Sequence, residues 1–485
     1  ITLQKALKIK SGKVFSQSVV ENRTNRLEAL LKGMGVNFAN VEAIISQDKK
    51  NRKINVLFNV NKGQPLYINR INITGNSTTR DYVIRRQFSS VEGDPFNRIE
   101  VKASVDKIRG LGFFSKVDVL TSPVDNNSAL NIDVDVEETT TGSLGLGFTY
   151  STDAGLGTAF NFSERNFLGR GQELSLDMSI GKDTGQTYLN FLEPQFYNRE
   201  FSLGIKVGTE TSSQQFSAFD SKRNLFEPSV GFPLTNRSDL KVHYGYADET
   251  LTAKSDNLSP AITRDMGNKE LQKIGYKYTY DTRKASVDPD SSFRAVVEQS
   301  YVSSKSNFSY LKSSASLSRR NSFVTRDIEL QSILEFGHMT QLEGTSRVTD
   351  RFKTYGNQMR GFSAAGMGPR DLYSSAKDSL GGLYYAVARF ESEIPLRFVP
   401  SEYKMRGVLF LDAGSVWGLD NKIGTTGSSQ PGGVVDDGLH LRSAIGFGLL
   451  WKTQIGPLRF NWTRPLLQET YDQTNLFNFT LSTNF

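Results

Sequence analysis

Two kinds of hydrophobic periodicity divide the chain near residue 140. Before that point helical and strand spacings alternate. In NRIEVKASVDKIRGLGFF (97–114), Val101, Val105 and Ile108 recur at helical spacing, and Gly110 and Gly112 then end the helix. In NIDVDVE (131–137), Ile132, Val134 and Val136 alternate with Asn131, Asp133 and Asp135, the mark of a half-buried strand. The same order occurs earlier. GKVF (12–15), a helix, GMGVNF and the strand INVLFNV (54–60) parallel GDPF (93–96), a helix, GLGFF and NIDVDVE. An internal repeat of small α/β modules follows. The second copy adds an opening strand, LYINRINITGN (66–76), and a helix near 78–89. The expected organisation is a partial module over 1–63, lacking its first strand, and a complete module over 64–140.

From residue 141 the period is two almost throughout. In GSLGLGFTYS, Leu144, Leu146, Phe148 and Tyr150 share one face, and Ser143, Gly145, Gly147 and Thr149 the other. ELSLDMSIG, EFSLGIKVG, IGYKYTYD, GPLRFNWT and LFNFTLSTNF repeat the pattern, giving about sixteen strands separated by Gly, Asn, Asp and Ser turns. Soluble β-sandwiches alternate too, but a sandwich this long divides into domains of ~100 residues with visible linkers. No such boundaries occur. A closed antiparallel barrel needs none, and its lipid-facing exterior and wet lumen produce the observed alternation. The fold class is therefore α+β modules followed by an all-β transmembrane barrel over 141–485.

Composition narrows the chemistry. No run of ~18 apolar residues occurs, which excludes a spanning helix but not a spanning barrel. The N-terminus carries no secretory signal pattern, as expected of a mature or truncated chain. With no cysteine and three scattered histidines, His243, His338 and His440, nothing points to a thiolate, a metal site or a catalytic base; no cofactor and no enzyme activity are expected. Residues 1–140 hold 21 Lys and Arg against 15 Asp and Glu, whereas 141–485 hold 37 against 36. The basic excess lies in the modules, without the clustered arginines and stacking aromatics that nucleic-acid binding requires.

Two places carry candidate function. GNQMRGFSAAGMGPRD (356–371) fits neither helix nor strand, and it lies within a loop of about 342–380, too long for a mere connection. A mobile surface turn and a functional inserted loop are both compatible with those residues. The second place is the seam where the first barrel strand meets the last. Gly145 and Gly147 weaken the first strand. The last strand presents Phe477, Phe479, Leu481 and Phe485 to lipid. An ordinary tight seam, as in a porin, and a weak seam that opens sideways are both open at this point.

The order of these motifs carries a family resemblance. α/β modules leading into a barrel, MRGF in a long loop, LGFF (111–114), NFLGRG (166–171), GGLYYAVARFESEIP (381–395), FLDAGSVW (410–417), IGPLRF (455–460) and terminal Phe485 resemble the BamA family of outer-membrane insertases, whose modules are called POTRA domains. The chain departs from the family at Met359, where a smaller aliphatic is usual. The resemblance implies that Arg360, Gly361 and Phe362 form the inserted-loop motif, with Arg360 meeting Glu391 and Asp412 in the lumen. Strand alternation independently allows it: Tyr384, Ala386, Ala388 and Phe390 face outward, turning Arg389 and Glu391 in, and Leu409, Leu411 and Ala413 turn Asp412 in. It also favours a lateral gate, with Leu144, Gly145, Leu146, Gly147 and Phe148 on one side and Phe477, Phe479, Leu481 and Phe485 on the other. Unpaired backbone groups there would template an incoming strand. Implied partners are unfolded outer-membrane proteins, membrane lipid and lipoproteins, BamD above all, docking on modules in the periplasm. The alternatives are a two-partner secretion or TamA-like pore of the same architecture, and a passive porin.

Overall fold

The computed structural model describes residues 12–484 except 13–14, 34–38, 49–50, 52, 63–65, 125–128, 152–154, 183, 214–218, 255–257, 286–290, 324–326, 356, 375–376, 426–434 and 454–455. The chain forms two units, Ile1–Thr141 with Arg165–Gly171, and Gly142–Glu164 with Gln172–Phe485.

The first unit holds the modules. In the first module, helix α1 (Gln17–Gly33) is followed by β1 (Ala39–Asp48) and β2 (Lys53–Lys62), paired antiparallel. Val20, Leu27 and Leu31 of α1 and Val41 of β1 are buried, and Glu28 accepts the Val41 N–H at 3.0 Å. The expected lack of an opening strand falls on residues outside those described.

The second module contains β3 (Tyr67–Thr74), α2 (Asp81–Arg85), α3 (Arg98–Gly110), β4 (Phe114–Pro123) and β5 (Ala129–Glu138) in a sheet of order β3-β5-β4. β3 and β5 are parallel, so a crossover must join them, and the helices lie within it. Ile84, Ile108, Ile132 and Val134 are fully buried at its centre. The Asn97 carboxamide oxygen caps α3, accepting the Ile99 N–H at 2.9 Å.

Helix α2 is shorter than the 78–89 expected from sequence. The Thr78 and Thr79 N–H groups donate to the Glu138 carboxylate at 2.9 and 2.6 Å, which satisfies them without a helical turn. After Arg85 the chain tightens into three-residue steps, Gln87 N–H to Ile84 and Phe88 N–H to Arg85. The NFLGRG stretch belongs to this unit through Asn166, whose amide donates to Thr79 Oγ1 at 2.8 Å and whose carbonyl accepts the Gly171 N–H at 2.8 Å.

The second unit is a closed barrel of sixteen strands, in agreement with the alternation. They are β6 (Gly142–Ser151), β7 (Gly155–Phe167), β8 (Gln172–Gly181), β9 (Thr184–Glu193), β10 (Ser202–Ser212), β11 (Phe219–Thr235), β12 (Ser238–Ala253) and β13 (Gly267–Asp281). β14 (Ser291–Ser304), β15 (Phe308–Phe323), β16 (Ile328–Glu343), β17 (Tyr384–Pro395), β18 (Met405–Trp417), β19 (Arg442–Thr453), β20 (Gly456–Leu467) and β21 (Phe477–Asn484) complete it. A short helix, α4 (Pro260–Asp265), precedes β13.

Burial is inverted relative to a soluble protein. Leu144, Leu146, Ile274, Phe336, Leu409, Ile445 and Phe447 are exposed, while Glu249, Arg347, Arg351, Asp412 and Arg442 are buried. Lipid satisfies the first set without desolvation cost, and the lumen pairs the second.

Candidate functional site: the inserted loop and the seam

Between Glu343 of β16 and Tyr384 of β17 the chain folds into the lumen. Met359, Phe362 and Met367 are almost completely buried, packed with Tyr385, Val387, Val416 and Ala444 of the wall. Arg360 follows Met359 and is held on three sides. Its Nε and Nη2 donate to Asp412 Oδ2 and Oδ1 at 2.7 and 2.6 Å, and its backbone N–H reaches Oδ2 at 3.1 Å. Nη1 donates to Glu391, and the guanidinium lies 3.7 Å from the centre of the Phe410 ring. A planar fork of donors matches paired carboxylates better than an ammonium would. Asp412 is completely buried, so without the arginine its charge would be left uncompensated.

Gly361 has φ +90°, and a Cβ there would lie 2.7 Å from Thr463 Cγ2 and 3.1 Å from the Ala444 methyl. The motif therefore combines a charge, a backbone turn closed to side chains and an apolar anchor in successive residues.

The sequence reading placed Arg360, Glu391 and Asp412 together, as the structure does. It missed Arg459 of β20, which donates to the same Glu391 oxygen as Arg360, at 2.6 Å. Leu458 and Phe460 turn Arg459 inward by the alternation that located Glu391. A second set also went unnoticed: Glu335 of β16 accepts from Tyr385, from Arg389 at 2.6 Å and from Gln358 of the loop at 3.1 Å. At the loop's start, Arg347 binds Glu249 at 2.6 Å and Asp350 at 2.7 Å, and the Tyr310 hydroxyl donates to Asp350 at 3.0 Å. Only spatial closure brings these strands together, so spacing gave no signal.

The seam is short. β21 pairs with β6 from Thr480↔Ser151 to Asn484↔Gly147, whereas β12 and β13 pair from Ser238↔Tyr280 to Leu251↔Gly267. Gly147 and Phe148 lie in the seam, opposite Asn484 and Thr483, and Leu481 lies opposite Tyr150. Leu144, Gly145 and Leu146 have no partner in the last strand among the described residues. Phe477 and Phe479 pair with Trp462 and Phe460 of β20. Phe485 lies outside the described residues. Thr149, Tyr150 and Ser151, absent from the sequence reading of the gate, make up most of the first strand's side. Sliding a strand by an even number of residues leaves its faces unchanged, so alternation cannot fix this register. One ring contact crosses the junction, Tyr150 to Phe479 at 5.9 Å, and Phe479 in turn rests on Phe460 of the neighbouring β20 at 4.9 Å.

A closed barrel with an apolar exterior, a charged lumen and a loop ion-paired to its inner wall defines a transmembrane β-barrel of the outer-membrane type. Residues 166–485 match the Omp85 superfamily domain, and residues 2–63 and 66–139 match the POTRA family, described as a surface antigen variable number repeat. The chain belongs to the Omp85 superfamily. It is 25% identical over 488 residues to the outer membrane protein assembly factor BamA of Neorickettsia risticii (strain Illinois), covering 100% of this chain and 64% of that relative. The chain thus spans less than two thirds of the relative's length. In fold it is similar to the crystal structure of BamA from Haemophilus ducreyi lacking POTRA domains 1-3, with a TM-score of 0.78 at 21% identity, covering 100% of this chain and 97% of that one. It is less similar to CdiB from Acinetobacter baumannii, with a TM-score of 0.57 at 13% identity, covering 100% and 85%.

Proposed function

We propose that this protein assembles and inserts β-barrel proteins in the bacterial outer membrane, and that it does so by templating client strands at the junction of β6 and β21. Unfolded barrel proteins are the clients. The modules face the periplasm and receive client segments and lipoprotein partners, BamD foremost. No bond is made or broken. The accelerated step is the transfer of a polar backbone into hydrocarbon, which is slow when strand N–H and C=O groups are unpaired.

One observation carries the mechanism. The seam is bonded over only part of β6, leaving the stretch from Gly142 to Leu146 without a last-strand partner among the described residues. Among the described residues that stretch is an edge unpaired with the last strand, suited to accept a strand by β-augmentation. Similarity over the whole chain to a protein named as an outer membrane assembly factor supports the same reading over the secretion-pore alternative.

The test is a reversible lock. Tyr150→Cys with Leu481→Cys places two thiols opposite each other across the seam of a chain that has no other cysteine. In lipid vesicles presented with an unfolded barrel protein, oxidation is expected to stop assembly and reduction to restore it. Undiminished assembly by the oxidised protein overturns templating at this junction. Depletion in the native cell separates the alternatives: general loss of outer-membrane barrels supports an insertase, and loss of a single secreted protein supports a pore.

A further inference from the structure

The stretch that leads into the last strand is held by the inserted loop. Among the described residues β20 and β21 pair from Leu458↔Leu481 to Trp462↔Phe477. Thr463 N–H still reaches the Leu476 carbonyl at 2.9 Å, and the chain before it then joins the loop. Ser363 N–H donates to the Gln473 carbonyl at 2.9 Å, Gln473 N–H to that of Gly366 at 2.8 Å, and Asn475 N–H to that of Gly361 at 3.0 Å. Phe362 and Thr474 form an antiparallel bridge. Residues 361–363 thus pair with 473–475 about one bridge, and the turn that Gly366 N–H closes on the Ser363 carbonyl presents the Gly366 carbonyl to the same segment. A Cβ on Gly366 would stand 2.5 Å from the Gln473 carbonyl oxygen, so the approach excludes any side chain there.

A buried ion pair fixes the same stretch to the wall. Arg442 of β19 donates from Nε and Nη2 to Asp472 Oδ2 and Oδ1 at 2.9 and 3.1 Å. Both side chains are almost wholly buried. Asp472 Oδ2 also accepts the Glu469 N–H at 2.8 Å, and Arg442 Nη1 donates to the His440 carbonyl at 2.8 Å. This is a satisfied bidentate pair that sets the position of one turn. The turn closes at Asp472, and the loop-bound residues 473–475 join it to β21, which begins at Phe477 shortly before the first seam pair, Thr480↔Ser151.

We infer that Arg442 and Asp472 are positioning residues for the last strand, and that loop residues 361–366 clip its entry, so that releasing this clip and opening the seam are one event. The inference rests on the reading that the seam opens. A seam of few backbone bonds is sensitive to any change in how its strand is presented. The clip supplies that presentation, and Arg360, bonded to Glu391 and through it to Arg459 of β20, anchors the clip in turn.

Amide hydrogen exchange on the whole chain in lipid vesicles, without client, tests the coupling. Gly366→Ala and Arg442→Gln are expected to speed exchange in β21 and in residues 147–151 by roughly tenfold, with β12 to β15 unchanged. A merely structural role would speed all strands together. Arg347→Gln, which frees the loop's start without touching either side of the clip, is expected to leave the seam at its parent rate. Should either variant fail to fold, the near-isosteric Asp472→Asn is measured in its place. Faster exchange in 361–366 and 471–475 with an unaltered seam overturns the inference. Because no client is present, a seam that responds while assembly proves absent supports the coupling and removes only the proposed function.

Discussion

The second module and the barrel solve the burial problem in opposite ways. In the module, Ile84, Ile108, Ile132 and Val134 are withdrawn from water, and specificity comes from packing. In the barrel the withdrawn groups include Arg360, Asp412, Glu391, Arg347 and Glu249 beside the loop's apolar anchors, and many large aliphatics face outward. A packed apolar core tolerates a lost methyl by partial collapse. A buried ionic set has no such recourse, since removing one partner strands the other's charge. The lumen is therefore the more brittle of the two, and its single points of failure are named residues.

The largest effect is expected from Arg360→Ala, which strands the completely buried Asp412 carboxylate and a shared oxygen of Glu391. The cost is about 3–5 kcal/mol. A lower temperature for conversion of the folded to the unfolded band on semi-native gels, with faster proteolysis of residues 342–380, checks it. Parent behaviour in both would show that the lumen is not brittle and would break the comparison. Next comes Ile132→Ala in the module, expected to lose about 2–5 kcal/mol in denaturant unfolding while leaving heat conversion of the barrel unaltered. A simultaneous fall in both would mean that the units do not fail separately. Arg360→Lys keeps the charge but loses the fork, and is expected to cost about 1.5–3 kcal/mol by the same gel measurement.

The smallest effect is a pH dependence in the module. Burial pushes the Glu138 carboxyl up, but the bonds from Thr79, Thr78 and Ser77 together outweigh it and hold it down to about 2, against an ordinary value of 4.5. With the folded value below the unfolded one, the contribution is fully present above pH 4.5 and is lost as pH falls toward 2. The carboxylate is only partly buried, so solvent screening keeps the change modest. Unfolding of the module followed between pH 6 and pH 2 should show a decline that Glu138→Gln flattens. An identical profile in that variant would assign the acid sensitivity elsewhere.

The two regions also differed in how well they could be read. The module's strands and the helix over 98–110 followed from periodicity and capping, yet the helix near 78–89 shortened because a carboxylate sixty residues away took its first N–H groups. In the barrel the number of strands and the inward direction of Glu391 and Asp412 were legible. The third partner of the clamp, Arg459, carried the same inward signal but no spacing that linked it to the loop. The extent of the seam was not legible, and the structure places Tyr150 opposite Leu481.

Alternation of side chains is a property of each strand's own backbone, with a period that no neighbour can alter, so the sequence alone determined which residues meet lipid and which meet the lumen. Register, and the choice of which inward charges share an oxygen, depend on how sixteen strands close on one another and on where the inserted chain comes to rest. Those choices couple residues far apart in sequence, and a slip of two residues leaves every face intact. Only the closed barrel could decide that Arg459 joins Arg360 on Glu391, and that the loop grips the entry to the last strand.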